Sequence, residues 1–157
     1  MKPNIVVVDY ERSNLFNVQC ALKYIGAENT KVSSDAKIIQ NAERLILPGV
    51  GAFPDAMNEL RKNELDRMVC DYVATGKPLL GICLGMQLLL ETSEEFGVHK
   101  GLGLIPGQVK HLKQYLTEDS FRIPHIGWSA LKINSSIKTG SFEKHFGKLL
   151  EDVEVDS

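Results

Sequence analysis

Residues 76–90 read Gly76-Lys-Pro-Leu-Leu-Gly-Ile-Cys83-Leu-Gly-Met-Gln-Leu-Leu-Leu90. Gly76-Lys77-Pro78 is turn chemistry. Leu79 to Cys83 is a short apolar run. From Leu84 to Glu91 the apolar residues continue as a helix. The change of period falls on Gly81-Ile-Cys83-Leu-Gly85, which has the form of a nucleophile elbow, a strand turning sharply into a helix with the nucleophile at the corner. Flanking glycines let the strained turn close and let neighbouring backbone approach. The helix starting after Cys83 aims unpaired N–H groups at its sulfur. The Leu84 amide is placed to donate to an oxyanion on an attacked carbonyl. The plain alternative is a small buried cysteine.

Working outward, the same alternation repeats. Ile5 to Val8 is four β-branched residues, a buried strand. Asn14 to Ile25 carries Leu15, Val18, Leu22 and Ile25 as one helical face, closed by Gly26 as a C-cap. Thr30 to Ser33 is a weak strand and Asp35 to Gln40 a short helix. Arg44-Leu-Ile-Leu47 is a further strand, ended by Pro48-Gly49-Val50-Gly51. Pro54 to Arg61 and Glu64 to Ala74 are helical, the second with Leu65, Met68, Val69 and Tyr72 on one side. Short buried strands alternating with helices predict an α/β fold with an open, mostly parallel sheet and helices on both faces. Beyond Gly97 the texture turns β-rich, in Gly101-Leu-Gly-Leu-Ile-Pro-Gly-Gln-Val109 and Phe121-Arg-Ile-Pro-His-Ile-Gly-Trp-Ser-Ala-Leu131.

Composition narrows the class. Of 157 residues, 43% are apolar and 24% charged, which excludes disorder or a fibre. A net charge of −2 with no basic run argues against nucleic acid and anionic membranes as partners. The longest apolar stretch, Leu79 to Leu90, falls short of the ~20 residues that span a bilayer. Three cysteines, Cys20, Cys70 and Cys83, suit a reducing compartment. A cytoplasmic protein is expected.

The second chemical feature is Leu47-Pro48-Gly49-Val50-Gly51-Ala52-Phe53, at the end of a predicted strand. Loops at the carboxyl ends of parallel strands line the ligand crevice. A glycine loop there offers backbone N–H groups to an anion or a developing oxyanion. No Gly-Lys-Ser/Thr follows, so it is no P-loop, and it lacks the third glycine of a dinucleotide fingerprint. Alone it reads as a tight turn.

Taken together, the two stretches resemble the triad-type (class I) glutamine amidotransferases. Pro78-Leu-Leu-Gly-Ile-Cys-Leu-Gly-Met-Gln-Leu-Leu89 is similar to that family's nucleophile segment. Pro48-Gly-Val-Gly-Ala-Phe-Pro-Asp-Ala-Met57 resembles one branch, the glutaminase subunit of imidazole glycerol phosphate synthase. Asp9-Tyr10 with Asn14-Leu15, the Gly101–Val109 stretch, and Pro124-His-Ile-Gly-Trp128 fit the same branch. The resemblance runs from about residue 4 to 133 and implies a flavodoxin-like α/β fold.

It implies that Cys83 attacks the side-chain amide of glutamine, releasing ammonia and leaving a thioester that water hydrolyses. Gly49, Val50, Gly51 and Leu84 would supply oxyanion amides, with a rearrangement at Val50. Gln87 and Glu95 would hold the glutamine substrate, Glu95 reaching its ammonium group. Asn14, Pro124, Ile126 and Trp128 would face a cyclase subunit of barrel fold, in a heterodimer that makes imidazole glycerol phosphate for histidine synthesis. The resemblance implies no cofactor and no metal.

The family also uses a His-Pro-Glu segment near its C-terminus as base and orienting carboxylate. His99, His111, His125 and His145 are the histidines here, and none is followed two residues later by Glu or Asp. Residues 1–157 are therefore expected to form a single amidotransferase domain, incomplete at the C-terminus and inactive alone. A partner-binding paralogue without catalysis, or an ammonia-supplying subunit for a surface-sugar aminating enzyme, are the alternatives. Glu11-Arg12-Ser13, where the branch usually has glycines, bears on which partner is served.

Overall fold

The alternating pattern assembles into a parallel sheet. The structure, a computed structural model, describes residues 3–115. Their elements are β1 (Ile5–Val8), α1 (Leu15–Tyr24), β2 (Thr30–Ser33), α2 (Ala36–Gln40), β3 (Arg44–Gly49), α3 (Phe53–Lys62), α4 (Leu65–Ala74) and β4 (Leu79–Cys83). After these come α5 (Leu84–Leu88), β5 (Leu90–Ser93), β6 (His99–Lys100), β7 (Ile105–Val109) and a 3-10 turn at Leu112–Gln114. The strands β2-β1-β3-β4 form one sheet in that order, every pair parallel. Strands β6-β5-β7 form a second, mixed sheet.

The chain leaves β1 toward β2 on one side and then returns across β1 to β3. Right-handed crossovers in opposite directions put their helices on opposite faces. Accordingly α1 contributes Leu15, Val18 and Leu22 to a cluster with Ile5, Val7 and Ile46. On the other face Val6, Val8, Leu45 and Leu47 pack with Ile39, Phe53, Met57, Leu60, Leu65, Val69 and Tyr72. The period of two along each strand and of three to four along each helix explains this division. Phe53, Ala56, Met57 and Leu60 form the inward stripe of α3. Asp35 caps α2 by accepting from the N–H groups of Lys37 and Ile38, and Asn14 caps α1 by accepting from that of Asn17.

Three local expectations change. The helix after Cys83 ends at Leu88, and Leu90–Ser93 is strand β5. Leu88-Leu-Leu90 suits either state locally; parallel pairing of Leu90 with Ile105 and of Thr92 with Gln108 decides for the strand. Strand β3 continues through Pro48 to Gly49, where sequence placed its end at Leu47. Ile25 stands outside the buried face of α1, as its C-cap, and is exposed. Gly26 follows with φ +74°, the left-handed conformation expected of a helix terminator.

On the α1 side, β4 is thinly covered. Leu80 pairs with Ile46 in the register and Ile82 with Pro48, yet Leu80 is 44% and Ile82 37% exposed. Leu47→Ala should therefore cost about 2–5 kcal/mol in urea unfolding, since the methyl groups leave a dry cavity. Leu80→Ala should cost about 1 kcal/mol or less. Equal losses would contradict this assignment of faces.

Candidate active site

The carboxyl ends of β1, β3 and β4 meet where the strand order reverses, the usual ligand position in an open α/β sheet. Gly49 and Cys83, the last residues of β3 and β4, are register partners. Each strand hands the chain to a loop or a helix at this edge.

Cys83 has φ 55° and ψ −118°. This is a conformation that side-chain-bearing residues rarely adopt, and such strain costs about 1–3 kcal/mol where the surroundings enforce it. The enforcement is steric. A Cβ at Gly85 would overlap the Leu47 carbonyl, and one at Gly81 would sit 2.6 Å from Met86 Cα. A Cβ at Gly49 would come within 2.7 Å of the Gly85 nitrogen. Helix α5 thus lies directly on the backbone of β3, and Cys83 is left exposed at the corner. The expected elbow is present in the backbone.

The glycine loop runs from Gly49 to the start of α3. Gly51 takes φ +95°, and Val50 is half exposed. The Val50 N–H donates to the Arg12 carbonyl at 2.9 Å, so this amide is turned into the protein. Arg12 lies in the β1–α1 loop beside Glu11, whose φ is 65°. Helix α3 has Ala52 as its N-cap and no cap from its own first turn. Glu95 serves instead: its Oε2 accepts from the Phe53 N–H at 2.8 Å. The Glu95 N–H in turn donates to Oγ of the fully buried Ser93.

The structure thus brings Cys83, Leu84, Gly49, Val50, Gly51 and Glu95 to one edge of the fold, from strands and loops distant in sequence. Gln87 lies four residues after Cys83 on α5, half-buried. Asn14 is exposed at the N-terminus of α1. Pro124, Ile126 and Trp128 lie outside the described residues, as do His125 and His145. Sequence reasoning assigned no role to Tyr10. Its side chain is 1% exposed, and its hydroxyl donates to the Pro48 carbonyl at 2.8 Å. Burial, with the Cys83 sulfur nearby as the second cause, raises the Tyr10 phenol above its ordinary pKa. The sequence signals were an aromatic hydroxyl just past a run of buried β-branched residues and the match of Asp9-Tyr10 to the resembled branch.

Among the described residues, no cluster of His, Cys, Asp and Glu could hold a metal ion. No helix among them is long and apolar enough to cross a membrane.

A strained cysteine stands at a strand-to-helix corner, in register with a glycine loop across a parallel sheet. The sequence pattern of the CobB/CobQ-like glutamine amidotransferase domain matches residues 4–156, and the chain belongs to that family. Over 129 residues it is 51% identical to the imidazole glycerol phosphate synthase subunit HisH of Listeria monocytogenes serotype 4a, covering 82% of this chain and 60% of the relative. The HisH subunit of Rhodopirellula baltica is 46% identical over 132 residues, covering 84% and 62% of the two chains. The chain therefore spans about three fifths of the length of these curated relatives. A crystal structure from Listeria monocytogenes EGD-e, described as a peptidase E protein, superposes with a TM-score of 0.51 at 14% identity. It covers 66% of this chain and 63% of its own, and supports the fold.

The packing at the elbow can be checked by substitution. Gly85→Ala must displace backbone and should cost about 2–3 kcal/mol in urea unfolding. Gly26→Ala, with φ +74° but nothing within 4 Å, should cost about 1 kcal/mol. A tolerated Gly85→Ala would mean that α5 does not rest on β3.

Proposed function

We propose that this chain is the glutaminase part of an imidazole glycerol phosphate synthase, hydrolysing glutamine to glutamate and passing the ammonia to a cyclase subunit. The observation that carries the reading is the strained Cys83 at the elbow, in register with Gly49 of the glycine loop. The similarity to HisH subunits names the branch.

In this reading the Cys83 sulfur adds to the amide carbon of bound glutamine, and the carbonyl electrons move onto oxygen. Amides of Leu84 and the Gly49–Gly51 loop receive that oxyanion. Because the Val50 N–H is bonded to the Arg12 carbonyl, it contributes only after that bond opens. Collapse expels the nitrogen, protonated to ammonia, and leaves a thioester; water then releases glutamate and restores the thiol. Gln87 and Glu95 hold the substrate. Glu95 is suited to its ammonium group because its carboxylate is already held at the end of the loop by the Phe53 N–H. Asn14, with Pro124, Ile126 and Trp128, faces the cyclase, and the site of action is the cytoplasm.

The proton transfers need a base with an orienting carboxylate, and no histidine in the 157 residues has Glu or Asp two positions on. Members of such a unit act together, and losing one costs orders of magnitude in rate. Residues 1–157 hold no such pair, and the purified chain should release little ammonia from glutamine. Steady turnover in a coupled ammonia assay would overturn this.

Glutamine binding has a test that needs no turnover. L-glutamine should slow iodoacetamide modification of Cys83 several-fold, read by peptide mass spectrometry, while L-asparagine should not. Absence of protection rejects the glutaminase reading. Without ligand, Cys83 should be modified first and Cys70 last. Cys70 is half-buried, and burial followed by the charges of Asp66 and Asp71 raises its thiol pKa. Its rate should therefore rise only at more alkaline pH than an exposed thiol requires. Equal rates for Cys20, Cys70 and Cys83 would contradict an activated elbow.

A further inference from the structure

Tyr10 has no part in the reaction just described, yet its hydroxyl sits where loop and elbow touch. It follows β1 by two residues and is buried, and it donates to the Pro48 carbonyl at 2.8 Å across a sequence separation of 38. Pro48 and Gly49 share one planar peptide unit, so holding its oxygen fixes the orientation of the whole plane. The next register pair after Pro48 and Ile82 is Gly49 with Cys83. A Cβ on Gly49 would lie 2.5 Å from the Tyr10 hydroxyl oxygen, 2.7 Å from the Gly85 nitrogen and 3.0 Å from Leu84 Cβ. The phenol, the root of the loop and the first turn of α5 are therefore one contact.

The far end of the loop is also held, by the Glu95 carboxylate on the Phe53 N–H. Between these two anchors lie Val50, Gly51 and Ala52; the Val50 N–H donates to the Arg12 carbonyl, and the Ala52 carbonyl accepts from the Ala56 N–H. We infer that Tyr10 is a positioning residue for the glycine loop: its hydroxyl pins the Pro48–Gly49 peptide against the elbow, so that only Val50 and Gly51 turn when an oxyanion forms. The pin itself stands on the geometry, whereas its catalytic consequence rests on the glutaminase reading. Without it the loop's amides sample orientations that miss the oxyanion, although Cys83 keeps its place.

A buried tyrosine hydroxyl with a satisfied bond also has a purely structural use, and the molecule supplies the comparison. Tyr72 is fully buried and donates to the Pro78 carbonyl at 3.3 Å, at the opposite end of β4. Tyr10→Phe and Tyr72→Phe each delete one such hydroxyl from the full 157-residue chain. Amide hydrogen exchange at Gly49, Val50 and Gly51 should quicken by about tenfold in Tyr10→Phe and stay at the wild-type rate in Tyr72→Phe. Two reagents then read the consequence at Cys83. Iodoacetamide reacts by displacement and needs no oxyanion amides, whereas a glutamine-shaped chloromethyl ketone has a carbonyl that they polarise. The ratio of ketone to iodoacetamide rates should fall by about fivefold or more in Tyr10→Phe alone.

Unchanged exchange in Tyr10→Phe, or equal loosening in both variants, overturns the pin. Quickened exchange with an unchanged rate ratio overturns its catalytic consequence. A wild-type chain whose Cys83 reacts with the ketone no faster than an exposed thiol overturns the glutaminase reading, and the exchange comparison still decides the pin. Should Tyr10→Phe fail to fold, wild-type exchange carries the test. Slow exchange at Gly49–Gly51 relative to the exposed Phe96 and Gly97 supports the pin, and equally fast exchange overturns it.

Discussion

Helix α5 rests on the bare backbone of β3, with Gly85 against the Leu47 carbonyl and Gly81 against the backbone of Met86. This contact leaves Cys83 no relaxed conformation: the chain must leave β4 and enter α5 within one residue, and that residue takes φ 55°. The strain is local, and the packing that maintains it is spread over the fold. Leu84 and Leu88 enter the same buried cluster as Leu45, Leu47 and Phe53, so relaxing the elbow would expose apolar surface worth more than the strain it relieves. The same contact sets the distance between the elbow and the glycine loop, because Gly49 shares its space with Gly85 and Leu84.

Topology converts that contact into a site. In the order β2-β1-β3-β4 the chain changes direction between β1 and β3, and the loops after these strands diverge to opposite faces. Three loops nevertheless remain joined at their bases. Tyr10 reaches from the end of β1 to Pro48, Arg12 accepts from Val50, and Gly49 faces Cys83 in the register. The second sheet adds Glu95 at the other end of the loop, held from behind by Ser93. Two sheets thus meet on one short run of backbone, held at Pro48 and at Phe53.

Much of this was legible in the sequence because it is local. Four β-branched residues at Ile5–Val8 have few alternatives to a buried strand, and Gly81 and Gly85 around Cys83 announce a turn without room for side chains. The strand at Leu90–Ser93 was not legible. An apolar run read alone suits a helix as well as a strand, and pairing with Ile105–Val109 settles the matter from outside it. The cap on α3 was hidden for a similar reason. Ala52 carries no capping oxygen, and the carboxylate that replaces it comes from 42 residues away. Tyr10 is the sharpest case, since its partner is a main-chain carbonyl, which leaves no trace in residue identity.

The three cysteines show how far environment, rather than residue type, determines chemistry here. Cys20 stands exposed on α1, within a helix whose only buried residue is Leu22. Cys70 lies half-buried near the Leu102 carbonyl, where burial and neighbouring carboxylates hold its proton on. Cys83 is exposed like Cys20, but it alone occupies a strained corner beside a loop of backbone donors. Cys20 has the exposure without the corner, and Cys70 has neither. The elbow supplies both by placing glycines on either side of the cysteine, so that the backbone bears the strain and the sulfur keeps the opening.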